Sequence, residues 1–211
     1  MVRERMRYGV TMFVTDRSMS AAALARAVEE RGLDSLYLPE HTHIPVGRKT
    51  PYPMGGTLPE EYKRTLDPFV ALATAAAVTS RIQLGTGVCL VAQRDPIVTA
   101  KEVASLDLVS GGRFVFGIGV GWNEDEVEDH GVEFRTRRTV LRERMLAMRR
   151  LWADDEASFQ GDHVHLAPSW AWPKPVQRPH PPIFYGGAAS PRLFEHLAEY
   201  ADGWMPLGGA G

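Results

Sequence analysis

The sequence predicts a parallel α/β fold and, within that class, a (β/α) barrel. Short apolar runs alternate with longer helical stretches along the chain of 211 residues, which is the order of successive βαβ units. The runs are apolar throughout, as in parallel strands that are covered on both faces. Unusual residues come just after several different runs, where barrel enzymes gather their functional groups. A doubly wound sheet would need a glycine-rich turn after its first strand, where Gly9 stands alone.

The elements up to residue 119 alternate regularly. We predict strands at 7–13, 35–38, 82–91 and 113–119, and helices at 20–31, 67–78 and 95–108. Ser20, Asp67 and Asp95 suit the N-cap positions, and proline follows both aspartates in the first helical position. Residues 44–66 contain several prolines and glycines, so we expect a long surface loop there, inserted into the barrel. Loops of this length in a compact domain are usually functional or disordered.

In the second half of the chain strands and helices alternate less regularly, and we interpret residues 123–182 as a second insertion with a helix and a hairpin. Helices are predicted at 123–130, 139–152 and 191–201, hairpin strands at 157–160 and 163–166, and core strands at 183–187 and 203–207. The whole chain, residues 1–211, is expected to form one domain. Because an eight-stranded barrel takes about 250 residues, we expect the last two strands to be lacking. Either the chain is a partial one, or it closes its sheet by association as a homodimer.

Composition excludes several classes of function. The 24 Lys and Arg residues balance 26 Asp and Glu residues, so the net charge of -2 speaks against a nucleic-acid or anionic-membrane binder. The single cysteine, Cys89, excludes a disulfide framework and a cysteine-rich zinc site. No apolar run approaches the roughly 20 residues of a membrane span, and the N-terminus has no signal-peptide pattern. We therefore expect a cytoplasmic protein.

Six sequence blocks in a fixed order carry a family resemblance. They are YLPEH at 37–41, IQLGTGV at 82–88, SLDLVSGGR at 105–113, GIGVGW at 117–122, PKPVQ at 173–177, and the stretch from the double glycine at 186 to the tryptophan at 204. In these blocks the chain resembles the luciferase-like monooxygenase superfamily, specifically its oxidoreductases that use the deazaflavin coenzyme F420. The resemblance implies a TIM-type barrel, and hydride transfer between C5 of the deazaflavin and an organic substrate.

The resemblance also implies a catalytic pair after the second strand. His41 matches a histidine that relatives place near the reacting face, and Glu40 precedes it where relatives often have an acidic residue. Imidazole has a suitable pKa to exchange a proton alongside the hydride. Trp122 stands where some relatives have a catalytic carboxylate. If an acid assists the reaction, Asn123, Glu124 or Asp125 would have to replace it.

Further residues are implied to bind the cofactor. They are Gly87, Val88, Gly119, Gly121, Trp122, Gly186, Gly187, Ala189, Ser190 and Arg192. The first two match a site where family members have a non-prolyl cis peptide. The group from Gly186 to Arg192 leads from a strand into a helix, where free backbone amides can hold a phosphate. Four loop cations, Arg48, Lys49, Lys63 and Arg64, could meet the acidic tail of the cofactor.

Other functions remain open from the residues alone. FMN could replace F420, because relatives that use either cofactor share one scaffold. The triplet His41-Thr42-His43 has the form found in metal-dependent barrel hydrolases, but we expect no metal because further ligands are not found at later strand ends. A non-catalytic barrel subunit is a third reading. The substrate is not identified by the sequence.

Overall fold

A parallel sheet is the centre of the computed structural model, which describes residues 5–206. In chain order the strands are β1 (Gly9–Thr11), β2 (Ser35–Leu38), β3 (Gln83–Thr86), β4 (Cys89–Leu90), β5 (Phe114–Gly119), β6 (Ala157–Gln160), β7 (His165–Ser169), β8 (Ile183–Gly187) and β9 (Gly203–Pro206). The main sheet runs in the order β1-β2-β3-β5-β8-β9, with β4 also paired to β5. All of its pairs are parallel, and β6 and β7 form a separate antiparallel hairpin.

Helices connect successive strands of the sheet. They are α1 (Ala21–Glu30), α2 (Pro68–Ala76), α3 (Pro96–Ser110), α4 (Glu124–Asp129), α5 (Arg137–Ala153) and α6 (Pro191–Tyr200). The expected N-caps are present: the Ser20 hydroxyl accepts a hydrogen bond from the backbone N–H of Ala23, and the carboxylates of Asp67 and Asp95 cap α2 and α3. Within residues 5–206 no helix combines the length and apolarity needed to cross a bilayer.

The predicted strand at 82–91 is wrong as a single element. The structure divides it into β3 and β4, and the peptide bond between Gly87 and Val88 is cis, as the resemblance implies. Against β5 the pairs are Gly85 with Val115 and then Cys89 with Ile118, so this segment has one residue more than its partner. An unbroken run of apolar and small residues gives no sign of such an extra residue.

The other differences are at element ends. Helix α5 begins at residue 137 instead of 139, and β7 begins at residue 165 instead of 163. The loop at 44–66 ends in a short 3-10 helix, Glu60–Lys63, which the sequence did not predict. Residue 207, the last of the predicted final strand, lies outside the described residues.

Two of the resemblance blocks stabilise the fold. The Arg113 guanidinium donates hydrogen bonds to the carbonyl oxygens of Ala76 (3.1 Å), Thr79 (3.0 Å) and Ile82 (3.0 Å), and so satisfies acceptors at the end of α2. The buried Asp107 carboxylate accepts hydrogen bonds from the backbone N–H and the side-chain amide of Gln177, at 2.9 and 2.6 Å. These contacts hold the loops at the N-terminal end of the sheet, away from the ends where the candidate site lies.

Candidate functional site

A cavity lies where β1, β2 and the β3–β4 segment end. Its volume is about 290 Å³, and it is lined by Thr11, Met12, Phe13, Pro39, Glu40, His41, Tyr62, Gly87, Val88, Leu90 and Trp122. The C-terminal ends of parallel strands meet at one edge, so residues far apart in the sequence share this cavity. Apolar and aromatic side chains make up most of the lining, with few polar groups, which is typical of small-molecule sites. Larger cavities exist elsewhere. The one beside Arg5 and Arg81 has a volume of about 580 Å³, but none of the predicted site residues lines it.

His41 is held in this cavity by an acid that the sequence analysis missed. Its Nδ1 lies 2.8 and 3.0 Å from the two carboxylate oxygens of Glu126, and both side chains are buried. Glu126 is fully buried, so its carboxylate depends on this partner. With Nδ1 occupied by the carboxylate, Nε2 is the ring nitrogen left to exchange a proton.

The acid next to His41 is Glu126 and not one of the three residues that the sequence analysis named, Asn123, Glu124 and Asp125. Asp125 accepts a hydrogen bond from the backbone N–H of Lys49 at 2.8 Å, and the Glu124 backbone N–H donates to Thr50 at 3.0 Å. Asn123 precedes α4, and its amide is buried without a partner among the described residues. Glu126 is the next residue after Asp125, the third of α4. The helical period could have identified it, because the third residue of a short helix after a strand can turn back toward the sheet.

Both carboxylate oxygens of Glu40 accept hydrogen bonds from other residues of the chain. One oxygen accepts a hydrogen bond from the backbone N–H of Leu90 and the other from Arg94 Nε, each at 2.6 Å. Arg94 also contacts Glu102 at 2.8 Å and pairs with Asp67. Burial lowers the pKa of Arg94, but the nearby carboxylates, Glu40 foremost, outweigh this effect and raise it overall. Arg94 therefore joins the end of β2 to α2 and α3.

Two of the predicted cofactor glycines, Gly119 and Gly186, meet around one side chain. A Cβ placed on Gly119 would lie 2.5 Å from Val88 Cγ2, and one placed on Gly186 would lie 2.6 Å from Val88 Cγ1. Only glycine at both positions leaves room for Val88, which itself lines the cavity. Gly121 has a φ of +79°, so it serves a left-handed turn after β5.

The residues predicted to hold a phosphate lie at the start of α6. Ser190 is the N-cap, and its hydroxyl accepts a hydrogen bond from the backbone N–H of Leu193 at 3.2 Å. Ala189 and Arg192 are exposed, and Gly187 is the last residue of β8. Because β8 pairs in parallel with β5, this helix start is at the same end of the sheet as the cavity. None of these four residues lines the cavity itself.

Helix α4 also holds the segment that follows His41. The Thr42 hydroxyl lies 2.7 Å from His130 Nε2, and His43 Nε2 lies 3.0 Å from Asp129 Oδ2. Burial, and the nearby His43, lower the pKa of His130. The two histidines of the His-x-His triplet are thus bound to different carboxylates. Among residues 5–206 no three His, Cys, Asp or Glu side chains are grouped closely enough to hold a metal.

Three of the four loop cations are paired with acids of this chain. Lys63 pairs with Glu60 at 2.5 Å, and Arg64 pairs with Asp16 at 2.7 Å. Lys49 lies 3.9 Å from Glu128 on α4. Contact with an acidic cofactor tail by these residues stays a prediction.

The fold and the site define a class of protein: an open, barrel-type parallel α/β sheet with a buried histidine–carboxylate pair beside an apolar cavity at the strand ends. The chain belongs to the luciferase-like monooxygenase family, whose model matches residues 6–211. The fold class predicted from the sequence is confirmed by this match and by the solved structures below. At this level the chain is a member of a family of luciferase-like oxidoreductases and monooxygenases.

The related proteins are longer than this chain. An uncharacterized protein of Mycobacterium tuberculosis is 51% identical over 203 residues, which cover 95% of this chain and 72% of that protein. The F420-dependent glucose-6-phosphate dehydrogenase of Kineococcus radiotolerans is 31% identical over 197 residues, which cover 90% of this chain and 52% of that enzyme. This chain therefore spans about half the length of the dehydrogenase.

Solved structures share the fold. The monooxygenase RslO1 from Streptomyces bottropensis superposes with a TM-score of 0.76 at 30% identity, over 92% of this chain and 57% of its own. The coenzyme F420-dependent tetrahydromethanopterin reductase from Methanopyrus kandleri has a TM-score of 0.75 at 21% identity, over 96% of this chain and 56% of its own. The second likeness is one of fold alone.

Proposed function

We propose that this chain carries the catalytic half of an oxidoreductase that transfers a hydride between coenzyme F420 and a small organic substrate. The observation that carries the proposal is the buried pair of His41 and Glu126 beside the cavity, with a separation of 2.8 Å. A 31% identical relative is an F420-dependent dehydrogenase, which supports this choice of cofactor.

The residues present fit a flat ring in the cavity. Val88 and Leu90 supply apolar surface, and the glycines at 119 and 186 allow Val88 to sit between neighbouring strands. Met12 and Phe13 add apolar surface from the end of β1. Ser190 and Arg192, with the free amides at the start of α6, would hold the phosphate of the cofactor. When bound there, the deazaflavin supplies a ring carbon that accepts or gives a hydride.

The protein itself would contribute proton exchange by a side chain that is held in a fixed orientation and shielded from water. His41 would take the proton from a substrate hydroxyl, or return it, through Nε2. Glu126 holds the ring by Nδ1 and stabilises the imidazolium that forms. We assign Glu40 a positioning role, because both of its oxygens are engaged by Leu90 and Arg94. Trp122, whose ring centre lies 5.9 Å from that of His41, would exclude water.

Titration of the purified chain with cofactor tests the proposal. We expect coenzyme F420 to quench the fluorescence of the 5 tryptophans, with a lower dissociation constant than FMN. Tighter binding of FMN would favour the alternative of an FMN-dependent monooxygenase on the same scaffold. Binding of neither cofactor would favour a non-catalytic subunit and overturn the proposal.

We also propose that the partner of this chain is a second copy of itself. Apolar side chains on α2 and α3 are exposed: Val70, Ile97, Val98, Leu108 and Val109, with exposed fractions of 48% to 68%. Exposed apolar side chains on neighbouring helices are typical of a protein–protein interface. We expect light scattering to give twice the monomer mass of 23.4 kDa. The double variant Val70→Asp with Val109→Asp should be monomeric, and a monomeric wild type would contradict the proposal.

A further inference from the structure

We propose that Tyr62 determines substrate specificity, and that the substrate bound next to His41 is an uncharged ring-bearing alcohol or ketone instead of a phosphorylated sugar. This inference rests on the proposed function and adds the chemical class of the substrate. Oxidation of such an alcohol, if it is secondary, would release one hydride from carbon to the deazaflavin and one proton from oxygen to His41, and a ketone would remain.

Aromatic rings surround His41 on the open side of the cavity. The ring centre of Tyr62 lies 5.1 Å from that of His41, and the Trp122 ring is steeply inclined to both rings, with its centre at 5.9 Å from His41 and 6.4 Å from Tyr62. Tyr52 lies 5.3 Å from Tyr62 and 6.2 Å from Trp122. These separations are those of interacting aromatic pairs. A flat or cyclic apolar group would extend this set of contacts.

Tyr62 is fixed in place by the fold. Its ring packs 4.7 Å from Phe13 at the end of β1. The following residues are tied to the same segment, by the ion pair of Arg64 with Asp16 at 2.7 Å and by the hydrogen bond from the Leu66 backbone N–H to the Val14 carbonyl at 2.9 Å. The ring is therefore pre-positioned, which lowers the entropic cost of binding.

The Tyr62 hydroxyl is neutral in this setting. It lies 3.3 Å from the Tyr52 hydroxyl. Burial, and the hydrogen bond with Tyr52, raise the pKa of Tyr62. Tyr62 therefore offers a ring face and a neutral hydroxyl, and cannot act as a base at ordinary pH.

Charge around His41 disfavours a phosphate group. The described residues that line the cavity include the carboxylate of Glu40 and the imidazole of His41, which is bound to the Glu126 carboxylate. They include no lysine or arginine. Arg94 lies behind Glu40 with three carboxylate partners, and Lys63 and Arg64 beside Tyr62 are paired with acids. A dianion brought next to His41 would lose its hydration and meet no lysine or arginine among the described residues that line the cavity.

Binding measurements on the full chain test this inference with acetophenone and glucose 6-phosphate as probes. We expect ligand-observed NMR to give acetophenone a dissociation constant at least about tenfold lower than that of the sugar phosphate. Tyr62→Ala should weaken acetophenone binding about tenfold, because a ring contact is lost. Tyr62→Phe should retain binding within about threefold, since the ring remains. Tyr8→Ala is the matched control, because Tyr8 is exposed before β1 at the other end of the sheet.

Turnover separates this inference from the proposed function. With F420 and 1-phenylethanol, Tyr62→Ala should raise KM about tenfold and leave kcat within about threefold. A purely structural role would instead lower kcat and the melting temperature together. Binding of glucose 6-phosphate as tight as that of acetophenone, or unaltered acetophenone binding by Tyr62→Ala, would overturn the inference while F420 binding still supports the proposed function. Failure to bind F420 would overturn both.

Discussion

Replacing His41 with alanine is expected to lower kcat by about 10²–10⁴-fold, the usual contribution of a positioned acid or base. The substitution removes the imidazole whose Nδ1 is fixed 2.8 Å from Glu126 and whose Nε2 is left for the substrate proton. Cofactor binding should stay close to that of the wild type, because the apolar surface around Val88 and the start of α6 are untouched. Steady-state turnover and the fluorescence titration measure the two effects separately.

His163→Ala is the matched control for this experiment. His163 is exposed on the hairpin loop, and its contact with Glu143 is made by the backbone N–H, which alanine keeps. Turnover of this variant should equal that of the wild type. An unchanged rate in His41→Ala would remove His41 from the mechanism.

Glu126→Gln tests whether the acid acts through His41. The change keeps the size of the side chain and removes the negative charge that stabilises the imidazolium, so kcat should fall by less than in His41→Ala. In the double variant the two losses should not add, because groups that work as a unit show strongly non-additive effects. Additive losses would mean that Glu126 has a separate role.

The second large effect is expected on stability, from Arg94→Leu. The change leaves the Glu40 carboxylate, with 2% of its side chain exposed, bound only to the backbone N–H of Leu90. Breaking a buried ion pair on one side costs about 3–5 kcal/mol of unfolding free energy. For a chain of this size that lowers the melting temperature by roughly 10 °C. Denaturant unfolding and a thermal melt both measure the loss.

Two comparisons make the Arg94 result specific. Arg142→Leu breaks the pair with Glu199, where 40% and 35% of the side chains are exposed, and should cost less than about 1 kcal/mol. Removing both partners, Glu40→Leu with Arg94→Leu, should recover part of the loss, since no buried charge is then unpaired. If Arg94→Leu were no more destabilising than Arg142→Leu, the buried ion pair would not be important to the fold.

Local sequence signals predicted most of the fold. Strand β2 was predicted with its observed ends, and α1, α2 and α3 begin after their predicted N-caps. These features depend on a few neighbouring residues: a capping side chain, a proline after it, and an apolar run between turns. The division of residues 82–91 was not predicted, because it depends on the register of β3 and β4 against β5.

The candidate site was predicted only in part. His41, Val88 and Trp122 do line one cavity. Glu126 was missed as a member of the site, because it comes from a short helix whose inward face is set by packing. Arg94 was missed for a similar reason: its three carboxylate partners come from β2, α2 and α3.

By itself the sequence determined the order of strands and helices, the family, and the histidine that follows β2. Each of these can be recognised from local patterns or from contiguous blocks of residues. Only the tertiary structure decided which acid holds that histidine, which side chain the glycines at 119 and 186 accommodate, and that Glu40 is bound to Arg94. Each of these is a contact between segments 31 to 98 residues apart in the sequence. Such contacts depend on strand register and helix orientation, which no local pattern specifies.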